Sequence, residues 1–331
     1  MRYVLAGDIG GSKVNLALYE RHEGQLSLRK SSSFNSRNFS TLEAVLETFF
    51  SGEKQIVDGA CFGIAGPVES GQCKTTNLPW VVETVGLKKF LATGNVWLIN
   101  DLASLACAVP FLGESEVEVL QEGKPEPSGR VAVIAAGTGL GQAFLIPEER
   151  GRYRVVDSEG GHCDFPFLND LEGDLCRFMK QKYGRVSIER VVSGEGLAQI
   201  YQFVKRHYSF EETGTLAEEM QTQDPASVIA RHGMEAKSEA CQKALDLFIS
   251  FYGRVAGNLA LQIMARGGVY VGGGIAPKIL ARIRKGLFME SFLSKGRFKD
   301  FMARIPVKVI KDDHASLRGA AHYALGEKFL R

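Results

Sequence analysis

The sequence has no C-x-x-C pair, no apolar run of membrane-spanning length, no low-complexity linker and almost no net charge. Its six cysteines stand at 61, 73, 107, 163, 176 and 241, a scatter that argues against a zinc ribbon or a disulfide framework and for reduced thiols in a cytoplasmic protein. Lys and Arg number 40 against 38 Asp and Glu, a formal charge of +2, so there is no basic footprint for nucleic acid. One Arg and a three-residue apolar run precede Gly7 and Asp8, too little for a signal peptide, and no membrane partner is expected. What is present is 331 residues, 45% of them hydrophobic with 20 Phe, which fits a globular chain of two lobes at about 150 residues per domain.

Glycine is clustered. In "VLAGDIGGSKVNLALYE" (4–20), Gly7, Gly10 and Gly11 surround Asp8 between two strand-like segments, the second alternating Val14, Leu16, Leu18 with Asn15, Ala17, Tyr19. A dinucleotide fingerprint or a P-loop needs a helix directly after its glycines, and a strand follows here. The same strand, glycine turn, strand form returns in "VAVIAAGTGLGQAFLI" from 131. A third cluster, "GGVYVGGGIAPKILARI", reads as a strand meeting three glycines and then a helix with Pro277 in its first turn.

Between and beyond these, "STLEAVLETFFSG" predicts a helix with Ser40 as N-cap and Glu43 as its capping-box partner, ending at Gly52. "QIVDGACFGIAGPV" reads as a buried strand, and "VWLIND" as a strand running into the helix "LASLACAV". The second half is mostly helical, with a long amphipathic stretch from Ser238 to Met264 and "GRFKDFMARI" after it. "VKVI" is the last strand and "ASLRGAAHYALGEKFL" the last helix. The lobe boundary is expected near Pro110.

Consecutive turn amides form an anion-binding nest, and three glycine turns in one chain suggest a cradle for phosphates. Asp8 beside such a nest would repel phosphate unless a cation intervenes, and Mg²⁺ is typically held by one or two carboxylates plus substrate phosphates. A turn-stabilising Asx hydrogen bond is the alternative for Asp8. Thr138 and Ser12 each add a hydroxyl.

"GDIGGSK", "AGPV", "TNLPW", "INDLAS", "GTGLG", "EGGH", "ERVVSGEGL", "GGVYVGGGIAP" and "KGRF" follow one another in the order of the bacterial ATP-dependent glucokinases, which the sequence resembles nearly end to end. The resemblance implies the two-lobed α/β actin-like ATPase fold, ribonuclease H-like. A small domain (1–111 plus 313–331) and a large one (112–312) would flank a ligand cleft, commonly in a homodimer. It departs at Ser12, where Thr is usual, and at Glu195, where Pro is common. It implies ATP and Mg²⁺ as cofactor and metal, held by Gly7, Asp8, Ile9, Gly10, Gly11 and Ser12, by Gly137, Thr138 and Gly139, and by Gly273 and Gly274, with the metal on Asp8. For glucose it implies Asn77, Asn100, Asp101, Glu159, His162 and Glu189, types whose donors and acceptors suit a ring of hydroxyls.

Phosphorylation of the sugar 6-hydroxyl at the entry to glycolysis would use Asp101 as base, at the rim of the strand "VWLIN". Helix N-capping alone would also place an Asp there, and the surrounding motifs favour the base. The several cysteines that accompany a structural zinc in the repressor-related sugar kinases are missing beside His162. Two rival readings are a sugar-sensing regulator, which usually carries a DNA-binding module ahead of its first strand, and a chaperone-like or filament-forming ATPase, which needs a peptide-binding appendage or polymer contacts.

Overall fold

The computed structural model describes residues 2–23, 25–51, 56–75, 78–149, 152–211 and 214–326. In chain order the first elements are β1 (Tyr3–Ile9), β2 (Lys13–His22), β3 (Gln25–Asn35), α1 (Leu42–Phe50), β4 (Gly59–Ile64), β5 (Gln72–Lys74), β6 (Val81–Glu83), α2 (Thr84–Leu91), β7 (Val96–Asn100) and α3 (Asp101–Ala108). There follow β8 (Val117–Gln121), β9 (Val131–Ala136), β10 (Leu140–Pro147), β11 (Tyr153–Ser158), α4 (Asp170–Tyr183), α5 (Ile188–Val191), α6 (Gly194–His207), α7 (Gly214–Thr222) and α8 (Pro225–Met234). The last are α9 (Glu239–Ile263), β12 (Gly268–Gly272), α10 (Leu280–Ile283), α11 (Leu287–Leu293), α12 (Lys299–Met302), β13 (Val307–Ile310) and α13 (Ala315–Ala324). They divide into two compact units, 1–116 with 143–157 and 312–331, and 117–142 with 158–311.

The first sheet runs β3-β2-β1-β4-β7, with β1 antiparallel to β2 and β4 parallel to both β1 and β7. Both of its faces are covered, which is why β1 and β4 read as unbroken apolar runs. Leu5, Ile9 and Leu16 pack with Leu42, Leu46 and Phe49 of α1 and Leu87 of α2. Val4, Ala6 and Ala17, on the opposite face, pack with Ala103 of α3 and Leu317, Ala320 and Ala324 of α13. The second sheet runs β11-β10-β9-β12-β13-β8. Its β12 is parallel to β9 and β13, so β11 to β13 repeat the order of β3 to β7, with β8 added antiparallel at the edge. The glycine hairpin that occurs twice in the sequence is therefore the entry to one sheet topology used twice.

Local signals set the helix ends. Ser238 caps α9 by accepting from Cys241 N at 3.3 Å, and Met264 closes it in the left-handed region at φ 52°. At α1 the cap is Thr41, whose Oγ1 accepts from Ala44 N at 3.2 Å, one residue later than Ser40. Thr41 is the last residue in extended backbone before the helix, so its hydroxyl has the reach to the third amide. "GRFKDFMARI" forms only a 3₁₀ turn, Gly296–Phe298, and the single-turn α12.

Helices α3 and α13 meet backbone to backbone. Ser104 Oγ donates to Ser316 O at 2.7 Å, and a Cβ placed on Gly319 would lie 1.9 Å from Ser104 O. Gly319→Ala should therefore force the helices apart and destabilise the fold by about 1–3 kcal/mol, the usual range for overpacking. Urea unfolding checks this, and an unshifted midpoint would mean the contact has slack.

Candidate active site

The carboxyl ends of β1, β4 and β7 form one rim. Asp8 is in register with Gly63, and Gly63 with Ile99; one step further Ile9, Ile64 and Asn100 align. Ligand sites of open α/β sheets lie at such ends. In the first hairpin, Gly10 N–H donates to Lys13 O at 2.9 Å. Fully buried Ser36 ties down the turn's carbonyls, its Oγ donating to Gly11 O at 3.0 Å and its N–H to Ser12 O at 3.2 Å. Ser12 itself is exposed.

Asn15 Nδ2 donates to Asp8 Oδ2 at 3.2 Å across the hairpin. Burial pushes the Asp8 carboxyl above its ordinary value, and the Asn15 hydrogen bond offsets only part of this. The folded state thus keeps this proton at pH values where the unfolded chain, at about 3.8, has lost it, so Asp8 costs stability increasingly as pH rises above that point. Asp8→Asn should gain stability over the wild type toward neutral pH and gain none in acid below the unfolded value. Parallel urea titrations of the two proteins measure this; identical pH dependence would refute it.

At the end of β7, Asn100 is the N-cap of α3: its Oδ1 accepts from Leu102 N at 2.8 Å and Ala103 N at 3.3 Å, and its Nδ2 faces Gly66 O at 3.5 Å. Capping is thus done by the neighbour of Asp101. Asp101 is the first helical residue, its Oδ1 accepting from Leu102 N at 2.9 Å. Asn77 lies outside the described residues. Trp80, 2% exposed, is a core side chain donating to Phe39 O at 3.2 Å.

In the second unit, Gly137, Thr138 and Gly139 turn between β9 and β10, closed by Gly137 N–H to Gly139 O at 2.8 Å. Gly194 N–H, at the start of α6, donates to Gly137 O at 2.9 Å. Gly273 and Gly274 follow β12, whose end pairs with that of β9. The helix expected around Pro277 starts only at Leu280, and 273–279 are turns. Gly273 adopts φ +81°, Ile275 N–H donates to Ala136 O at 3.3 Å, and a side chain on Gly273 would strike that carbonyl at 2.5 Å. Docking onto the end of β9 thus takes the backbone out of the helical region.

Behind both turns stands Tyr252 of α9, fully buried: its hydroxyl accepts from Ala136 N at 3.1 Å and reaches Gly272 O at 3.3 Å. Burial raises its pKa, keeping it a neutral donor.

Glu159, His162 and Glu189 come together. His162, on the 3₁₀ turn after β11, has Nε2 at 3.6 Å from Glu159 Oε2 and Nδ1 at 3.9 Å from Glu189 Oε1. Glu189 is in the first turn of α5, which Ser187 caps, and its Oε2 accepts from Leu140 N at 2.9 Å. The departure at Glu195 has its own partners in the Tyr183 hydroxyl at 2.6 Å and Arg190 at 2.8 Å, which lower its pKa, the Tyr183 bond most. Sequence reasoning missed Ser36, Asn15 and Tyr252. An Asn opposite an Asp in a predicted hairpin was a signal for one of them; a serine among serines and an aromatic in a buried helix carry none.

Among the described residues no three His, Cys, Asp or Glu side chains cluster as a metal site, and no helix is long and apolar enough to cross a membrane. All six cysteines are free thiols.

A protein-family model described as Glucokinase matches residues 5–327. The chain is 40% identical to a glucokinase of Synechocystis sp. over 341 aligned positions, covering 96% of each. Its structure is similar to the crystal structure of a glucokinase from an Antarctic psychrotroph, with TM-score 0.83, 28% identity and coverage of 98% of this chain and 99% of that one. A glucokinase from Balamuthia mandrillaris, crystallised with glucose, shares the fold at TM-score 0.82 and 23% identity, covering 98% of this chain and 94% of that one. The fold is that of the two-domain sugar kinases of the actin-like ATPase superfamily. Within that class, the chain belongs to the glucokinase family.

Proposed function

We propose that the chain transfers the γ-phosphoryl group of ATP to the 6-hydroxyl of glucose, giving glucose 6-phosphate and ADP at the entry to glycolysis. The observation that carries this is the near full-length match to glucokinases, with Asp8, Asn100 and the glycine turns after β9 and β12 at the carboxyl ends of parallel strands. Asp101 accepts the 6-hydroxyl proton as the oxygen forms its bond to phosphorus and the bond to the bridging oxygen of ADP breaks. The other hydroxyls are met by Asn77, Asn100, Glu159, His162 and Glu189. Because Oδ1 of Asn100 caps α3 and Oε2 of Glu189 holds Leu140, these residues offer the sugar Nδ2 and Oε1 respectively.

The residues that would hold phosphates are, in the first unit, the amides of the turn at 7–12 with the Ser12 hydroxyl and, in the second, the amides of 137–139, Gly273 and Gly274 with the Thr138 hydroxyl. Asp8 fits Mg²⁺, since a single desolvated carboxylate plus phosphate oxygens is an ordinary Mg²⁺ set. The ion would neutralise charge on the phosphates. The reading includes a small lobe of 1–111 with 313–331, a large lobe of 112–312, a homodimer and a cytoplasmic location, the last resting on cysteines spaced for neither disulfide nor metal. Purified protein with MgATP is assayed against a panel of hexoses by ADP release. Turnover with glucose is expected, and none with any hexose would overturn the proposal.

A further inference from the structure

The two oxygens of Glu189 face different tasks. Oε2 accepts the N–H of Leu140, the residue directly after Gly139 in the second glycine turn, while Oε1 lies on the His162 side. The tether is close: a Cβ on Gly139 would lie 2.5 Å from Oε2. Leu140 is itself buried and begins β10, so its amide orients the strand that leaves the turn. The other hydrogen bonds described for the turn, from Gly194 to Gly137 and from Gly137 to Gly139, are backbone ones and involve none of the residues proposed to meet the sugar.

We propose that Glu189 is a positioning residue that couples sugar occupancy to the phosphate turn, an inference that rests on the functional reading above. A sugar hydroxyl donating to Oε1 fixes the side-chain torsions of Glu189. Oε2 then holds Leu140, and with it the amides and hydroxyl of residues 137–139, in the arrangement that receives the nucleotide phosphates. Coupling of this kind is reciprocal, so the nucleotide tightens sugar binding by the same factor. It also disfavours nucleotide binding, and hence its hydrolysis, when sugar is absent.

Calorimetry on the full chain measures the Kd of AMPPNP with Mg²⁺ with and without saturating glucose, and the Kd of glucose with and without AMPPNP. The wild type is expected to show at least about fivefold coupling in both directions, within the usual range for linked sites. Gly139→Ala displaces Oε2, and Glu189→Asp shortens the side chain by one methylene; each brings the factor to within about twofold of unity. Glu189→Gln keeps an oxygen acceptor for Leu140 and retains most of the coupling, although its glucose affinity falls. Hydrogen exchange gives an independent readout: glucose alone slows exchange at Leu140 in the wild type and does not in Glu189→Asp. Wild-type coupling in both Gly139→Ala and Glu189→Asp, or binding of both ligands by the wild type without coupling, overturns the inference and leaves the functional reading intact. A wild type that binds neither ligand overturns both.

Discussion

Asp101→Ala should lower kcat by about 10²- to 10⁴-fold, the span for loss of a general base, while glucose affinity falls by much less. The chemical reason is that a hydroxyl attacking phosphorus must shed its proton, and at neutral pH water is a poor acceptor for it. The structural reason is the division of labour at the end of β7. Asn100 caps the first amides of α3, so removing the Asp101 carboxylate leaves the helix start in place. On the proposed assignment Asn77, Asn100, Glu159, His162 and Glu189 would keep most of the ground-state contacts, so the loss is expected on kcat rather than on Kd. A coupled assay of ADP release alongside calorimetric glucose titration separates the two quantities. A variant with near wild-type kcat would remove Asp101 from the role.

Glu172→Ala should cost about 3–5 kcal/mol of stability, the largest effect expected away from the reacting groups. Arg254 Nη1 donates to Glu172 Oε2 at 2.8 Å, and the two side chains are 8% and 9% exposed. The guanidinium also lies 5.4 Å from the ring of Phe165 and 5.1 Å from that of Phe251, while its Nε and Nη2 find no hydrogen-bond partner among the described residues. Without Glu172 a buried cation keeps only the ring faces. The double replacement Glu172→Leu with Arg254→Met removes both charges and should recover the part of the loss that comes from the stranded cation, because a buried pair is worth little more than well-packed apolar groups. Urea unfolding of the three proteins decides this: a double variant as unstable as Glu172→Ala would show that the hydrogen bonds of Glu172 to Leu168 and Asn169, not the stranded charge, carry the loss.

The same pair has a bearing on the site. Glu172 also accepts from Leu168 N at 2.7 Å and Asn169 Nδ2 at 3.1 Å, anchoring the segment that follows His162. That segment returns to the neighbourhood of Glu189 through Ile188 N–H to Cys163 O at 2.8 Å and Phe165 N–H to Val186 O at 3.1 Å.

Where local chemistry decides structure, the sequence was legible. The apolar runs of β1, β4 and β9 and the 25-residue α9 between Ser238 and Met264 follow from periodicity and capping, and the strand β2 is legible from its alternation although Ala17 and Tyr19 are buried as well. Legibility ended where a distant partner decides. The glycines at 273 and 274 were visible, but nothing local says that the chain beyond them docks on Ala136 instead of starting a helix. Glu189 is named for glucose by the family resemblance alone, and its bond to Leu140 joins residues 49 apart. The motifs suggested the chemistry of the candidate site, and the tertiary fold shows which atoms of Asn100 and Glu189 are already engaged, Oδ1 by the start of α3 and Oε2 by Leu140.

The packing of α13 against α3 and the first sheet has a consequence for biosynthesis. Leu317, Ala320, Ala321 and Ala324 complete a core whose other buried members lie between Val4 and Ala103, and Ser104 reaches its partner at Ser316. At roughly 5–20 residues per second, that apolar face waits on the order of 10 to 40 s after α3 is made before the residues that cover it emerge. A ribosome that stalls after β13 would therefore present a nascent chain whose N-terminal sheet is open on one side. Chaperone binding to stalled chains should map to that face, on Val4, Ala6, Ala17 and Ala103.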